Sequence, residues 1–320
     1  MSSLTLSKPI LYSRVKYQAP PWTVPFIKNL DLIPSERIVL SSLPTPLHFW
    51  NPPGYENFKC FIKRDDLSSF DLSGNKVRKL EFLMAKALSL GCDTVLTIGG
   101  IQSNHARATA CCARQLGLEP HLILRTNAVD ADPGLQGNLL LDRMVGAHLH
   151  LVSVGTYARV GSSALLQQLQ EQLMEVGKQP YVIPVGGSDC VGVWGYIEAV
   201  NEIMAQKEEM GIEKFDHIIF ACGSGGTAAG LALGCRLAGS GSRVHAVAVC
   251  DSADYFFAHI ETVSSKLGVD LAEIGHPRDW CSISAGQGLG YAKSSPAELE
   301  YIYAVSSATG FIYKALHVSS

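Results

Sequence analysis

The sequence predicts an α/β protein with open, largely parallel twisted sheets covered by helices. Short apolar runs rich in β-branched residues alternate with longer segments of helical apolar spacing. Four glycine-bearing exits follow expected strands, at Gly74, Gly99-Gly100, Gly186-Gly187 and Gly223 to Gly226. With 47% hydrophobic and 17% charged residues, the 320-residue chain has apolar mass for one large domain or two. In such folds ligands gather at the carboxyl ends of strands, so the glycine exits are expected to converge on one cleft.

Taken in order, residues 1–30 carry Lys8, Arg14, Lys16 and Lys28 and no acid. That bias fits a mitochondrial transit peptide. Pro20-Pro21-Trp22 and Val24-Pro25-Phe26 equally fit the leading arm of a folded domain. Residues 37–40 read as a short strand, and Leu43-Pro44-Thr45-Pro46-Leu47 as a proline-stiffened turn. Phe61-Ile62-Lys63-Arg64-Asp65-Asp66 reads as a strand end. A helix then opens near Lys76, with Asn75 as its expected cap and Leu80, Phe82, Leu83 and Ala87 as its apolar face. Further strands are expected at 94–98, 121–124, 148–152, 181–185, 217–221 and 244–249. Between them lie expected helices at 104–116, 138–144, 160–176 and 191–209, and from the Gly223–Thr227 stretch to Leu237. Ser295-Pro296-Ala297-Glu298 is a capping box for a last helix that runs to Thr309 and stops at Gly310.

Composition excludes several classes. A net charge of −3 suggests neither nucleic acid nor an acidic membrane surface as partner. No apolar run approaches the length of a membrane span, and no internal repeat is present. The nine cysteines form no CxxC pair and no Cys/His zinc spacing, so no metal is expected. They read as buried thiols of a reducing compartment.

Three stretches carry chemistry. In Ser73-Gly74-Asn75-Lys76-Val77-Arg78-Lys79, three cations crowd the first turn of a helix, where the dipole favours anions. Either this is a solvated basic patch, or an anion sits here and Lys76 does covalent chemistry. Cys222-Gly223-Ser224-Gly225-Gly226-Thr227 lies between a strand and a helix. It matches neither a dinucleotide fingerprint nor a P-loop and fits a small phosphate cradle. Gly99-Gly100-Ile101-Gln102-Ser103-Asn104-His105 packs two amides, a hydroxyl and an imidazole into a helix-opening turn. It reads either as a carboxylate-binding loop or as an ordinary cap made by Ser103 or Asn104. A lysine, a phosphate cradle and a carboxylate loop together describe a pyridoxal phosphate enzyme.

Two of these segments, 73–81 and 98–105, closely resemble the signature segments of the D-cysteine desulfhydrase and 1-aminocyclopropane-1-carboxylate deaminase family. That family belongs to the fold type II, tryptophan-synthase-β-like pyridoxal phosphate enzymes. Val185-Gly186-Gly187-Ser188 and the 222–227 cradle match in order, and the likeness runs from about Leu40 to Gly310. The resemblance implies two domains, a large cofactor-binding one from 1–75 with 190–320 and a small one at 76–189. It implies that Lys76 holds the cofactor as a Schiff base and then moves the α-proton. Lys79 would touch the phosphate, with Ser224, Gly225, Gly226 and Thr227 completing the cradle. Asn104 would bond the ring hydroxyl. Gln102, Ser103 and His105 would hold the substrate, Ser103 with a nucleophilic or proton-handling role in the deaminase branch. The implied reaction is α,β-elimination of D-cysteine to pyruvate, hydrogen sulfide and ammonia, by a homodimer in the mitochondrion or the cytoplasm.

The sequence departs from the family twice. The deaminase branch has a tyrosine in a Gly-Pro-Glu-Tyr-Gly stretch, and here Gly286-Gln287-Gly288-Leu289-Gly290 stands with Leu289 at that position. Tyr291 is two residues away. This favours desulfhydrase over deaminase. The family also continues past Thr309-Gly310 with Asp-Pro-Val-Tyr and a further tail that supplies a tyrosine and the group facing the ring nitrogen. Phe311 to Ser320 lack that pattern. A shortened C-terminus, and with it a catalytically inactive isoform, is therefore a further expectation.

Overall fold

The computed structural model describes residues 12–69, 74–127, 129, 131–290 and 293–311. Strands β1 (Arg14–Lys16) and β2 (Glu36–Ile38) pair antiparallel, as do β3 (Leu47–Phe49) and β4 (Phe61–Lys63). Helix α1 (Lys76–Ser89) leads to β5 (Thr94–Gly100), α2 (Asn104–Gln115), β6 (Glu119–Thr126), α3 (Gly137–Met144) and β7 (His148–Ser153). Then come α4 (Val154–Val160), α5 (Ser162–Glu175), β8 (Pro180–Val182), α6 (Trp194–Glu209), β9 (His217–Cys222) and α7 (Gly226–Leu237). The remainder is β10 (Arg243–Ala248), α8 (Ala253–Lys266), the short α9 (Leu271–Ile274) and α10 (Pro277–Trp280), β11 (Cys281–Ala285) and α11 (Pro296–Thr309).

Two parallel sheets result. One has the order β7-β6-β5-β8, the other β11-β10-β9. Parallel strands are covered by the helices of their crossovers, so their side chains on both faces are apolar. In the four-stranded sheet Leu96, Ile98 and Ile123 pack on Leu165, Leu166 and Leu169 of α5. On the other face Val95 packs with α1 and α2, and Leu122 and Leu124 with α2 and α3. The three-stranded sheet buries Val244 and Cys281 against α6, α7 and α8. Its opposite face is open, with Ile219 71% exposed.

The amino-terminal arm is part of this fold from Arg14 on. Tyr17, Trp22 and Phe26 pack on the larger core, and Ile27 is buried and bridges to Val269. This supports the leading-arm reading for these residues; 1–11, like Ser73, Tyr291 and the 312–320 tail, lie outside the described residues.

Several expectations need correction. The strand expected at 181–185 ends at Val182, because Pro184 has no N–H to give and Gly186 turns into the left-handed region at φ 67°. Asn75 does not cap α1 with its side chain; its Nδ2 donates to Thr227 Oγ1 at 3.2 Å. Helix α8, capped by Ser252, and strand β11 fall in a stretch where no element was expected. Of the nine free cysteines, Cys112, Cys222, Cys235 and Cys281 are buried, whereas Cys250 is exposed.

Candidate active site

The three cations of the first α1 turn have three different fates, and none is a solvated surface charge. Arg78, 1% exposed, is consumed by structure. Its guanidinium donates to both carboxylate oxygens of Asp65 at 2.8–3.1 Å, to Glu202 at 3.0 and 3.1 Å, and to Thr45 Oγ1 at 3.0 Å. Lys63 also pairs with Glu202, and Tyr196 donates its hydroxyl to Asp65 at 2.8 Å. This network ties the start of α1 to α6 and fixes where Lys76 and Lys79 point.

Lys79, also 1% exposed, has among the described residues one hydrogen-bond partner, the carbonyl Gly186 O at 3.1 Å. Lys76 makes no hydrogen bond or ion pair among the described residues. Burial pushes its amine down to about 8. Burial, and then the charge of Lys76, hold Lys79 well below the usual lysine range. Two amines without a carboxylate partner among the described residues lose their charge on burial and regain it beside an anion, so this is a place suited to one.

The cradle beside them has room only for backbone. A Cβ on Gly226 would lie 2.7 Å from Ser188 Oγ and 3.0 Å from Lys79 Nζ. One on Gly186 would lie 2.1 Å from Ser224 Oγ and 3.6 Å from Lys76 Nζ. Gly225 has φ 88°, and its Cβ would meet the His259 ring at 2.6 Å. Ser188 Oγ accepts from Gly226 N at 3.0 Å and bonds Ser224 Oγ at 2.6 Å. The N-terminus of α7 thus presents amides and hydroxyls beside two lysines, which is the donor set a phosphate dianion requires. A pyridoxal phosphate group fits these residues: an amine for its aldehyde, and a cradle with counter-charge for its phosphate.

The 99–105 loop is placed differently from its neighbours. Ser103 Oγ caps α2 by accepting from Ala106 N at 3.1 Å. Gln102 and Asn104 are tied to the start of α3: Asn138 donates from Nδ2 to Gln102 O at 2.7 Å and Asn104 Oδ1 at 3.0 Å. None of these three bonds Lys76, Lys79 or the cradle among the described residues. His105 is buried, with Nε2 2.9 Å from Thr97 Oγ1. Burial, then Lys76 and Lys79, keep its ring neutral well below the usual histidine range. His105 therefore forms part of the packed floor beside the lysines, not an open substrate contact. Leu289 is 62% exposed.

Sequence reasoning missed four residues here. Ser188, matched to the family with Val185-Gly186-Gly187 but given no role, sits in the cradle. Tyr196 lies with its ring 5.8 Å from Lys79 Nζ. Asn138 clamps the 102–104 loop, and His259 packs under Gly225; neither gave a sequence signal.

The fold and the site together define a pyridoxal-phosphate dependent enzyme, and a family model of that description, "Pyridoxal-phosphate dependent enzyme", matches residues 39–312. A bifunctional D-cysteine desulfhydrase/1-aminocyclopropane-1-carboxylate deaminase, mitochondrial, of Arabidopsis thaliana is 49% identical over 92% of this chain and 73% of its own. A putative 1-aminocyclopropane-1-carboxylate deaminase of Thermotoga maritima is 38% identical over 88% of each. A crystal structure of an ACC deaminase homologue superposes with a TM-score of 0.74 at 30% identity, covering 94% of this chain and 87% of that one. The chain belongs to the D-cysteine desulfhydrase/1-aminocyclopropane-1-carboxylate deaminase family of pyridoxal-phosphate dependent enzymes.

Proposed function

We propose that this chain is a carbon–sulfur lyase that converts D-cysteine and water to pyruvate, hydrogen sulfide and ammonia. The observation that carries the reading is the lysine pair, buried Lys79 and half-buried Lys76, without carboxylate partners among the described residues and beside a glycine cradle. The names of the Arabidopsis relative and of the Salmonella typhi D-cysteine desulfhydrase, 41% identical over 62% of this chain, support the substrate.

When bound, pyridoxal phosphate withdraws electrons from the substrate Cα and makes its hydrogen acidic. Lys79, Ser224, Thr227 and the amides of Gly225 and Gly226 hold the phosphate. Lys76 Nζ, held near 8 by burial, is partly unprotonated close to neutrality. It would hold the cofactor aldehyde and, as a free amine, would take the α-proton of the substrate. Loss of that proton expels the β-sulfur as sulfide. Asn104 would bond the ring hydroxyl, and Gln102, fixed by Asn138, and Ser103, the cap of α2, would receive the substrate carboxylate. The neutral His105 floor keeps the site from gathering a third positive charge.

The experiment measures sulfide and pyruvate from D-cysteine, alongside 2-oxobutyrate from 1-aminocyclopropane-1-carboxylate. The expected result is sulfide and pyruvate in equal amounts, with the cyclopropane acid the poorer substrate because Leu289 stands where the deaminase branch has tyrosine. Cofactor bound but no product from D-cysteine would sink the reading. We further propose a homodimer, checked by light-scattering mass. We propose mitochondrial residence too, which the acid-free 1–30 stretch and the Arabidopsis relative's name support. Fusing residues 1–30 to a fluorescent protein checks it.

A further inference from the structure

The four-stranded sheet has a second cluster of chemistry at the end opposite its glycine turns, about 20 Å along the strands from them. Strand alternation puts Glu119 and His121 of β6 and His148 and His150 of β7 on one face. His121 lies directly across from His148 in the register. His121 Nδ1 and His150 Nε2 are 3.0 Å apart and share a proton. In the tautomer where Nδ1 donates to His150, Nε2 is the free ligating nitrogen; in the other, Nε2–H faces Glu119. This nitrogen is buried and has no hydrogen-bond partner, in a side chain 6% exposed overall. It points at Glu119 Oε1, 3.4 Å away. His148 Nε2 lies 2.7 Å from the same oxygen. The other oxygen of Glu119 is held by Lys178.

A buried imidazole nitrogen aimed at a carboxylate oxygen beside a second imidazole is a donor set that a cation can take up, displacing one proton. We infer that Glu119, His121 and His148 form a binding site for a divalent transition-metal ion of the zinc class. Their donor atoms all lie within 4.8 Å of one another. A tetrahedral zinc with nitrogen and oxygen ligands separates neighbouring donors by about 3.3–3.5 Å, which the His121–Glu119 pair already matches. The His148 ring stacks on His121 with centroids 4.4 Å apart, so it must rotate out of the stack to bind. It has room to do so, because its side chain is 51% exposed on an edge strand. His150 fixes the tautomer of His121, and Lys178 fixes the carboxylate, which is how outer residues orient metal ligands. Imidazole and carboxylate donors without thiolate suit zinc, copper or nickel over magnesium. The ion clips the edge strand β7 to β6, and its fourth position opens to water. The Glu-x-His and His-x-His spacings belong to strands, which is why Cys/His zinc-finger spacing did not reveal them.

The test uses the holoenzyme after dialysis against chelator, titrated with Zn2+ in competition with a chromophoric indicator. His148→Ala, at an exposed position, and Glu119→Gln serve as comparisons. Wild type is expected to bind one zinc ion more than either variant. Zn2+ is expected to raise the melting temperature of wild type alone. Co2+ in wild type should give visible bands without the near-ultraviolet thiolate band, which separates this site from Cys250. Equal zinc uptake by wild type and His148→Ala, or a cobalt spectrum of thiolate type alone, would overturn the inference.

Discussion

Lys76, Arg78 and Lys79 sit within one helical turn and are set apart by what surrounds them. Arg78 has two carboxylates, Lys79 a carbonyl, and Lys76 no partner among the described residues. Removing the amine in Lys76→Ala should abolish cofactor attachment, seen as loss of the absorbance of bound cofactor. The Lys76 amine lies near 8 in the fold against an ordinary value of 10.5. Between those values the unfolded chain binds a proton that the folded chain does not. Stability of the cofactor-free protein should therefore rise with pH through that window, and this contribution is lost as pH falls to about 8. Urea midpoints across the window test the sign, and a flat profile contradicts it. Lys76→Met should stabilise the cofactor-free protein near neutrality by about 1–3 kcal/mol. Cofactor capture should climb with pH towards a plateau above about 8, since only the uncharged amine attacks. The lysine's identity was legible because a cation at a helix N-terminus is out of place. Arg78's role was not, since its partners Asp65 and Glu202 are 13 and 124 residues away.

At the scale of elements, the glycine turns after β8 and β9 meet around α1, as the expected convergence of strand exits required. Gly226→Ala should weaken cofactor binding at least about tenfold, or about 1.4 kcal/mol, because the new methyl meets Ser188 and Lys79. Cofactor titration of the absorbance reads the change. Arg78→Met leaves Asp65 without its cation and Glu202 with Lys63 alone, and should cost about 3–5 kcal/mol in urea unfolding. The alternation of β and α was plain in the sequence because buried parallel strands are continuous apolar runs. Strand β11 escaped because Cys281-Ser282-Ile283-Ser284-Ala285 is too polar to read as one. The 102–104 loop was read for its amides, yet the residue that fixes it, Asn138, comes from a helix 34 positions on. On the proposed role of the loop in receiving substrate and not the moving proton, Asn138→Ala should raise KM for D-cysteine more than it lowers kcat.

In the whole molecule, α1 stands between two parallel sheets and brings its lysines to the cradle at the start of α7. The four-stranded sheet is covered on both faces, whereas the three-stranded sheet leaves Ile219 and Ala221 open on one. Parallel sheets are normally covered on both sides, so this open face is the exception in the fold. The resemblance read from separated motifs captured this architecture because those motifs are the glycine turns that build the site. The most direct measurement loads the protein with pyridoxal phosphate, reduces it with borohydride, digests it and locates the labelled peptide. The label should fall on Lys76, and Lys79→Met should weaken loading without moving it. A label on Lys79 or another lysine, or none at all, would contradict the account.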